Sequence, residues 1–99
     1  MNELVAKIKS RFDHAAAKKI LKEKYEAKMI FPYRGGLFRA GPELLSLLTT
    51  CSTDDVVIVD LYETPVMISP HELKLEAFNR WQEQMNAWFV EWTELQKQR

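Results

Sequence analysis

Three aspartates around one predicted strand are the side chains best suited to metal chemistry. Asp54 and Asp55 precede a β-branched run at residues 56–59, and Asp60 follows that run. Carboxylates at a strand end can bind Mg²⁺ for phosphoryl transfer. Such a site needs a further acid and a lysine nearby. Glu72 and Lys74 could supply them, but they lie at a predicted helix start, where Glu72 has a capping role. We therefore interpret Asp54 and Asp55 as loop residues and predict no metal ion and no other cofactor, with a metal-dependent enzyme as a weaker alternative.

The single cysteine offers a second kind of chemistry. A nucleophilic site would pair Cys51 with a histidine that acts as a base. Neither His14 nor His71 is linked to Cys51 by spacing or by context. We therefore predict that the chain is not an enzyme and that Cys51 is a small buried residue at a helix end. One cysteine cannot form an internal disulfide, which favours a reducing, cytoplasmic setting.

Basic residues interleaved with aromatic residues could bind nucleic acid. Arg34 and Arg39 flank a predicted hairpin turn, with Tyr33 and Phe38 beside them. This pattern can grip phosphates and stack bases, although strand alternation also explains the two aromatic residues as core or cross-strand residues. The basic residues that a nucleic-acid interface would use are Lys18, Lys19, Lys22, Arg34 and Arg39.

The charge of the chain is divided between its two halves, although the net charge is zero. Residues 1–40 contain ten basic and four acidic residues, a balance of +6, and residues 41–99 contain four basic and ten acidic residues, a balance of −6. This division indicates either a basic surface for nucleic acid or another acidic partner, or two halves that neutralise each other within one chain or between two copies.

The elements that must position these residues are organised around residues 69–95. Ser69 is suited to cap a helix, Pro70 to occupy its first position, and Glu72 to reach back to the cap. Large apolar residues then recur at spacings of three and four, which places them on one helix face. They are Phe78, Trp81, Met85, Trp88, Trp92 and Leu95.

This aromatic face has two interpretations. It can be the core contact of the helix, or it can bind a partner, because Trp and Met are enriched at protein interfaces. Phe89 widens the face beyond what a short chain is expected to cover. We predict that Trp81, Trp88, Phe89 and Trp92 bind a partner, in a homo-oligomer or a larger protein assembly.

The remaining segments predict the fold class. Residues 3–26 lack Gly and Pro, and apolar residues from Val5 to Ile20 recur every three or four residues. This spacing indicates one amphipathic helix, or two helices with a break near Asp13 and His14. Residues 28–40 indicate a β-hairpin whose turn is Arg34-Gly35-Gly36, and residues 56–68 indicate a second hairpin whose first strand continues to Tyr62. Pro42 begins a short Leu-rich helix between them. We predict a single α+β domain over residues 1–99, with two β-hairpins forming a small antiparallel sheet packed by two long helices and one short Leu-rich helix.

The chain is not expected to cross or enter a membrane. No apolar run approaches the roughly 20 residues that span a bilayer. The N-terminus becomes charged too early for a signal peptide.

Three segments carry a resemblance to a known group of proteins: KEKYEAK at residues 22–28, DLYETPV at residues 60–66 and MNAW at residues 85–88. With these segments the chain resembles small uncharacterised proteins of large contractile-tailed bacteriophages. The resemblance implies a phage accessory or virion-associated protein that works by binding, in the host cytoplasm or the virion, and it implies no catalytic residues. The function predicted from the sequence is non-enzymatic interaction or assembly through helix surfaces, with a nucleic-acid-binding accessory protein that uses the basic N-terminal half as the alternative.

Overall fold

The computed structural model describes the backbone of residues 2–97 and the side chains of residues 13–97. The elements in chain order are α1 (Asn2–Lys28), β1 (Ile30–Tyr33), β2 (Gly36–Arg39), α2 (Pro42–Thr50), β3 (Val56–Val59), β4 (Pro65–Ile68) and α3 (Pro70–Lys97). This order confirms the predicted α+β class, with two hairpins, two long helices and one short Leu-rich helix.

The first hairpin pairs β1 with β2 in antiparallel register, so that Phe31 lies opposite Phe38. Its two-residue turn consists of Arg34 and Gly35, whose φ angles of 47° and 83° are both positive. This is the conformation that matches the twist of the flanking strands. Gly36 was expected in the turn, but it is the first residue of β2 and is buried.

The second hairpin pairs β3 with β4 and remains a separate two-stranded sheet. The sequence predicted that both hairpins form one sheet and that β3 continues to Tyr62. Instead β3 ends at Val59, because the Asp60 carboxylate accepts hydrogen bonds from the backbone N–H groups of Tyr62 and Thr64, both at 2.9 Å. Because the chain turns at Asp60, β3 does not extend far enough to form a ladder with β2.

The hydrophobic core lies between the two hairpins, α2 and the first half of α3. Phe31 and Tyr33 of β1 are buried on either side of exposed Pro32, as the predicted alternation requires. The same alternation buries Val66 and Ile68 of β4, which the sequence interpretation did not specify. The other buried members are Met29, Phe38, Ala40, Leu48, Leu73 and Ala77. Together they form a compact unit that we call the head.

The two long helices extend beyond the head and lie antiparallel against each other. The molecule measures 65 × 23 × 21 Å and its radius of gyration is 18.6 Å, whereas a compact chain of this length has a radius of about 13 Å. We call the projecting pair, residues 13–28 of α1 and residues 82–97 of α3, the arm. Among the described residues, no helix combines the length and the apolar character needed to cross a membrane.

The backbone of α1 is one continuous helix through Asp13 and His14. Its apolar spacing predicted Ile20 as a contact residue, but that side chain is exposed, and Leu21 and Tyr25 are buried instead. The other apolar side chains of that pattern, up to Phe12, lie outside the described residues.

Candidate interaction surface

The contact between α1 and α3 in the arm is made by aromatic and charged side chains. The Tyr25 ring stacks on the Trp88 indole at a centroid distance of 6.0 Å and an interplanar angle of 7°. Glu91 Oε1 accepts hydrogen bonds from Lys24 Nζ and from Tyr25 Oη, both at 2.6 Å. The hydrogen bond from Lys24, followed by that from Tyr25, lowers the pKa of Glu91, and the same carboxylate raises the pKa of Tyr25. These contacts set the register of the two helices.

The predicted aromatic face is divided between the core and the surface. Trp81 packs against the core of the head, Trp88 stacks on Tyr25, and the Trp92 ring lies 6.2 Å from the His14 ring. All three indoles are only partly buried. Phe89 retains 68% of its accessible surface and Phe78 is also exposed, so the outer edge of the face is open.

The residues of α3 that are fully buried are Leu73 and Ala77, which the sequence interpretation did not single out. They lie eight and four residues before Trp81, on the same side of the helix. A search for apolar positions at spacings of four, continued toward the helix start, would have found them. The aromatic residues on which the prediction of this helix face was based begin at Phe78, after these two buried positions.

A groove follows the open edge of α3. In the arm it has a volume of about 410 Å³ and is lined by Trp88 and Trp92 of α3 and by Ala15, Lys18, Lys19 and Lys22 of α1. Toward the head it continues into a depression of about 600 Å³, whose walls include Trp81, Met85 and Trp88. Trp88 lines both parts, so the two depressions adjoin each other along α3, and together we call them the arm groove.

The basic residues proposed for nucleic acid fall into two groups. Lys18, Lys19 and Lys22 lie together on the rim of the arm groove, where Lys18 Nζ lies 5.5 Å from the centre of the Trp92 ring. Arg34 lies at the other end of the molecule, 3.8 Å from the Glu72 carboxylate in the first turn of α3. The helical rise between residues 72 and 92 separates these two places by about 30 Å. Arg39 is exposed near the head end of the groove.

One edge of the predicted aromatic face continues along α3 as a regular seam, whose positions Leu75, Gln82 and Gln96 the sequence interpretation did not include. Successive residues of the seam are separated by three and four residues in turn, which is the spacing of the contact positions in a coiled coil. They are Leu75, Phe78, Gln82, Met85, Phe89, Trp92 and Gln96. Leu75, Phe78, Gln82 and Phe89 are exposed and the other three are partly buried. We call this set the α3 seam.

The outer face of the second hairpin is a further exposed apolar surface, and its Val59 also lines the head end of the arm groove. Val57 and Met67 are cross-strand partners, and Val59 pairs with Pro65. All four side chains point away from the core and are exposed. This face is remote from the predicted partner-binding residues in the sequence.

The residues considered for catalysis or metal binding are held in structural contacts or in exposed loops. Cys51 is the C-cap of α2, partly buried, and its Sγ lies 3.3 Å from the Leu47 carbonyl oxygen. Asp54 and Asp55 are exposed, whereas Asp60 binds backbone N–H groups. Within the side chains of residues 13–97, no three His, Cys, Asp or Glu residues lie together in a way that could hold a metal ion.

Comparison with known proteins returns no match for this chain among protein-family models, curated proteins or solved structures.

Proposed function

We propose that this protein is a non-enzymatic interaction and assembly module that acts through the surface of the arm, and that it forms a homo-oligomer. The observation that carries the proposal is the exposure of Phe89 beside two half-buried tryptophans on a projecting pair of helices. Large aromatic side chains contribute most of the binding energy at protein interfaces when a partner excludes water from them. Their placement on the arm leaves them accessible to a partner.

The charge pattern also supports assembly. The chain has no net charge, so that two copies do not repel each other as whole molecules.

Two of the groups considered for catalysis have structural contacts: the Asp60 carboxylate accepts a hydrogen bond from Leu37 N at 3.0 Å, and Cys51 occupies the C-cap position of α2. The remaining large surface feature of the arm is apolar and suits binding.

The test is the molar mass in solution, measured by light scattering after size exclusion at low and high salt. We expect a mass of at least twice the 11.6 kDa of one chain at both salt concentrations, because apolar contacts are not screened by salt. Replacing Phe89 by Gln should shift the mass toward one chain, with at least about a tenfold weaker association, since a buried aromatic anchor contributes about 2 kcal/mol or more.

The matched control is Tyr62→Gln. Tyr62 is 74% exposed, close to the 68% of Phe89, but it lies in the turn of the second hairpin. This variant should keep the oligomeric mass. A wild-type chain that remains monomeric at concentrations up to the millimolar range would contradict the proposal.

We further propose that the assembly is a phage accessory or virion-associated complex, in the host cytoplasm or in the particle. The support for this step is the sequence resemblance to small proteins of contractile-tailed phages. Detection of the chain by mass spectrometry in purified phage particles, or its absence from them, distinguishes a virion component from an accessory protein.

Nucleic-acid binding is the second candidate function. It is supported by Lys18, Lys19 and Lys22 beside the exposed edges of Trp88 and Trp92, an arrangement that can bind phosphates and stack bases. Retention of a labelled single-stranded oligonucleotide that falls steeply with added salt would favour it. If Arg34→Ala combined with Arg39→Ala left that retention unchanged, the first hairpin would not take part.

A further inference from the structure

We propose that the occupant of the arm groove is a second copy of this chain, packed antiparallel across a two-fold axis that passes near Phe89 and Lys22. This inference rests on the proposed self-association and specifies its geometry. In a two-fold contact each surface meets itself in reverse order, so the surface must be self-complementary in shape and charge. Both requirements can be examined along the groove.

The α3 seam satisfies the requirement of shape. Met85 lies four residues before Phe89 and Trp92 lies three residues after it. An axis near Phe89 therefore places Trp92 opposite the second copy's Met85, and Phe89 opposite its own equivalent. A large aromatic residue then meets the flexible methionine, which adapts to irregular partners.

A row of uncharged side chains borders the outer side of the seam from residue 79 to residue 93. Asn79, Asn86 and Thr93 each follow a seam position directly, and Gln82 Nε2 donates a hydrogen bond to Asn86 Oδ1 at 2.9 Å. A second α3 helix can approach these neutral residues without like-charge repulsion. The acidic residues Glu76, Glu83 and Glu94 are spaced by seven and eleven residues and share a different face of α3.

The rim of the groove satisfies the requirement of charge. Its outer end carries Lys18 and Lys19, whereas its head end carries Glu26 and Glu43 together with one basic residue, Arg39. All five side chains are exposed, and the acidic residues outnumber the basic one at the head end. Lys22 lies midway, since Lys18 and Glu26 are each four residues, about 6 Å, away from it along the helix. The contacts of Lys24 and Tyr25 with Glu91 and Trp88 place Lys22 within about one helical turn of the level of Phe89.

A two-fold axis at that level brings the lysine end of one copy to the acidic end of the other. Lys18 then faces the second copy's Glu26, and the same contact recurs on the other side of the axis. A parallel arrangement would instead place lysines against lysines and acids against acids. The antiparallel arrangement is therefore the one that the charges of the groove favour.

The experiment exchanges the charges of the two ends. Variant one combines Lys18→Glu with Lys19→Glu, and variant two combines Glu26→Lys with Glu43→Lys. Each variant alone brings like charges together, and we expect its dimer dissociation constant to rise about tenfold, from several exposed charge pairs that act together. An equimolar mixture of the two variants restores opposite charges at both ends, so it should form a mixed dimer with the wild-type affinity.

The matched control is Glu76→Lys combined with Glu83→Lys, which makes the same change in net charge as variant two on the other face of α3. It should leave the dimer affinity unchanged, and circular dichroism should show the same helix content in all variants. Binding of variant one to the wild type that is at least as tight as wild-type self-association would overturn the antiparallel arrangement in favour of a parallel one, because only a parallel contact places the new glutamates against lysines.

Two other outcomes separate this inference from the proposed function. A wild-type dimer whose affinity does not change in either charge variant would overturn the geometry and leave self-association intact. A monomeric wild type would overturn both. If that monomer retained a single-stranded oligonucleotide and variant one did not, the groove would be a nucleic-acid site instead of a dimer interface.

Discussion

At the residue scale, Asp60 shows how one carboxylate can join two hairpins. Its Oδ2 accepts a hydrogen bond from Leu37 N of β2, and its Oδ1 accepts from Tyr62 N and Thr64 N within its own turn. The hydrogen bonds from Thr64 and Leu37 are the main reason why the pKa of Asp60 lies below its ordinary value of 3.8. A residue that the sequence suggested for metal chemistry is thus a connection between backbone segments.

Replacing Asp60 by Asn should lower the stability of the protein in a pH-dependent way. Because the pKa of Asp60 is depressed in the folded state, its contribution is complete above the ordinary value of 3.8 and is lost as the pH falls through the folded pKa. Urea unfolding between pH 2 and pH 7 should therefore show a constant deficit for the variant above about pH 5, and the deficit should narrow in acid.

Asp54→Asn is the control for this measurement, since Asp54 is an exposed loop residue close in sequence. Its unfolding curves should follow those of the wild type across the same range. A deficit for Asp60→Asn that persists undiminished at pH 2 would mean that the amide disturbs the turn for a reason other than the lost charge.

At the element scale, the two hairpins are held together by close packing as well as by hydrogen bonds. Gly36 begins β2 at a point where a Cβ atom would lie 2.9 Å from Val66 Cγ2 and 3.3 Å from Asp60 Cβ. Contacts this short do not occur without movement of the neighbours. The absence of a side chain at residue 36 is therefore what allows β2 to approach the second hairpin.

Gly36→Ala should destabilise the protein by about 1–3 kcal/mol, the usual cost of overpacking. Gly41→Ala is the matched control, because a Cβ atom there meets nothing within 4 Å and its φ of 164° is extended backbone. Chemical denaturation of both variants provides the comparison. Equal stability of the two variants would contradict the close contact between the hairpins.

At the scale of the whole molecule, the head and the arm differ in how much they bury. Within the described side chains of α1, the buried residues are Leu21 and Tyr25, whereas the head contains the whole main core cluster. Apolar residues along the arm therefore gain most from a partner. The basic residues of the first half and the acidic residues of the second half form only a few ion pairs with each other among the described side chains, such as Lys24 with Glu91 at 2.6 Å.

The shape itself can be measured. For the monomeric form, obtained with Phe89→Gln, small-angle X-ray scattering should give a radius of gyration near 18.6 Å, well above the value of about 13 Å for a compact chain of this length. Light scattering on the same sample establishes that it is monomeric. A compact value would mean that the arm of the single chain folds back onto the head in solution.

Much of the fold can be predicted from the sequence, because helix and strand signals are local. The Ser69-Pro70 start of α3 and the 3–4 spacing of its aromatic residues predict the long helix, and the alternation of Phe31 and Tyr33 predicts their burial. The same local patterns did not reveal Ile20 as exposed or Leu73 as fully buried. A periodic pattern defines a helix face but does not state which part of that face a neighbouring element covers.

The sequence by itself determined the types of the elements, their order and the two opposite balances of charge, because each depends on neighbouring residues or on composition. Only the tertiary structure decided that the two hairpins stay separate, that Arg34 lies far from Lys18, and that the arm groove remains open. The physical reason is that α2 has nine residues and is too short to cover the 28 residues of α3. The coverage of a helix depends on the lengths and positions of its partners, which are properties of the whole packed chain.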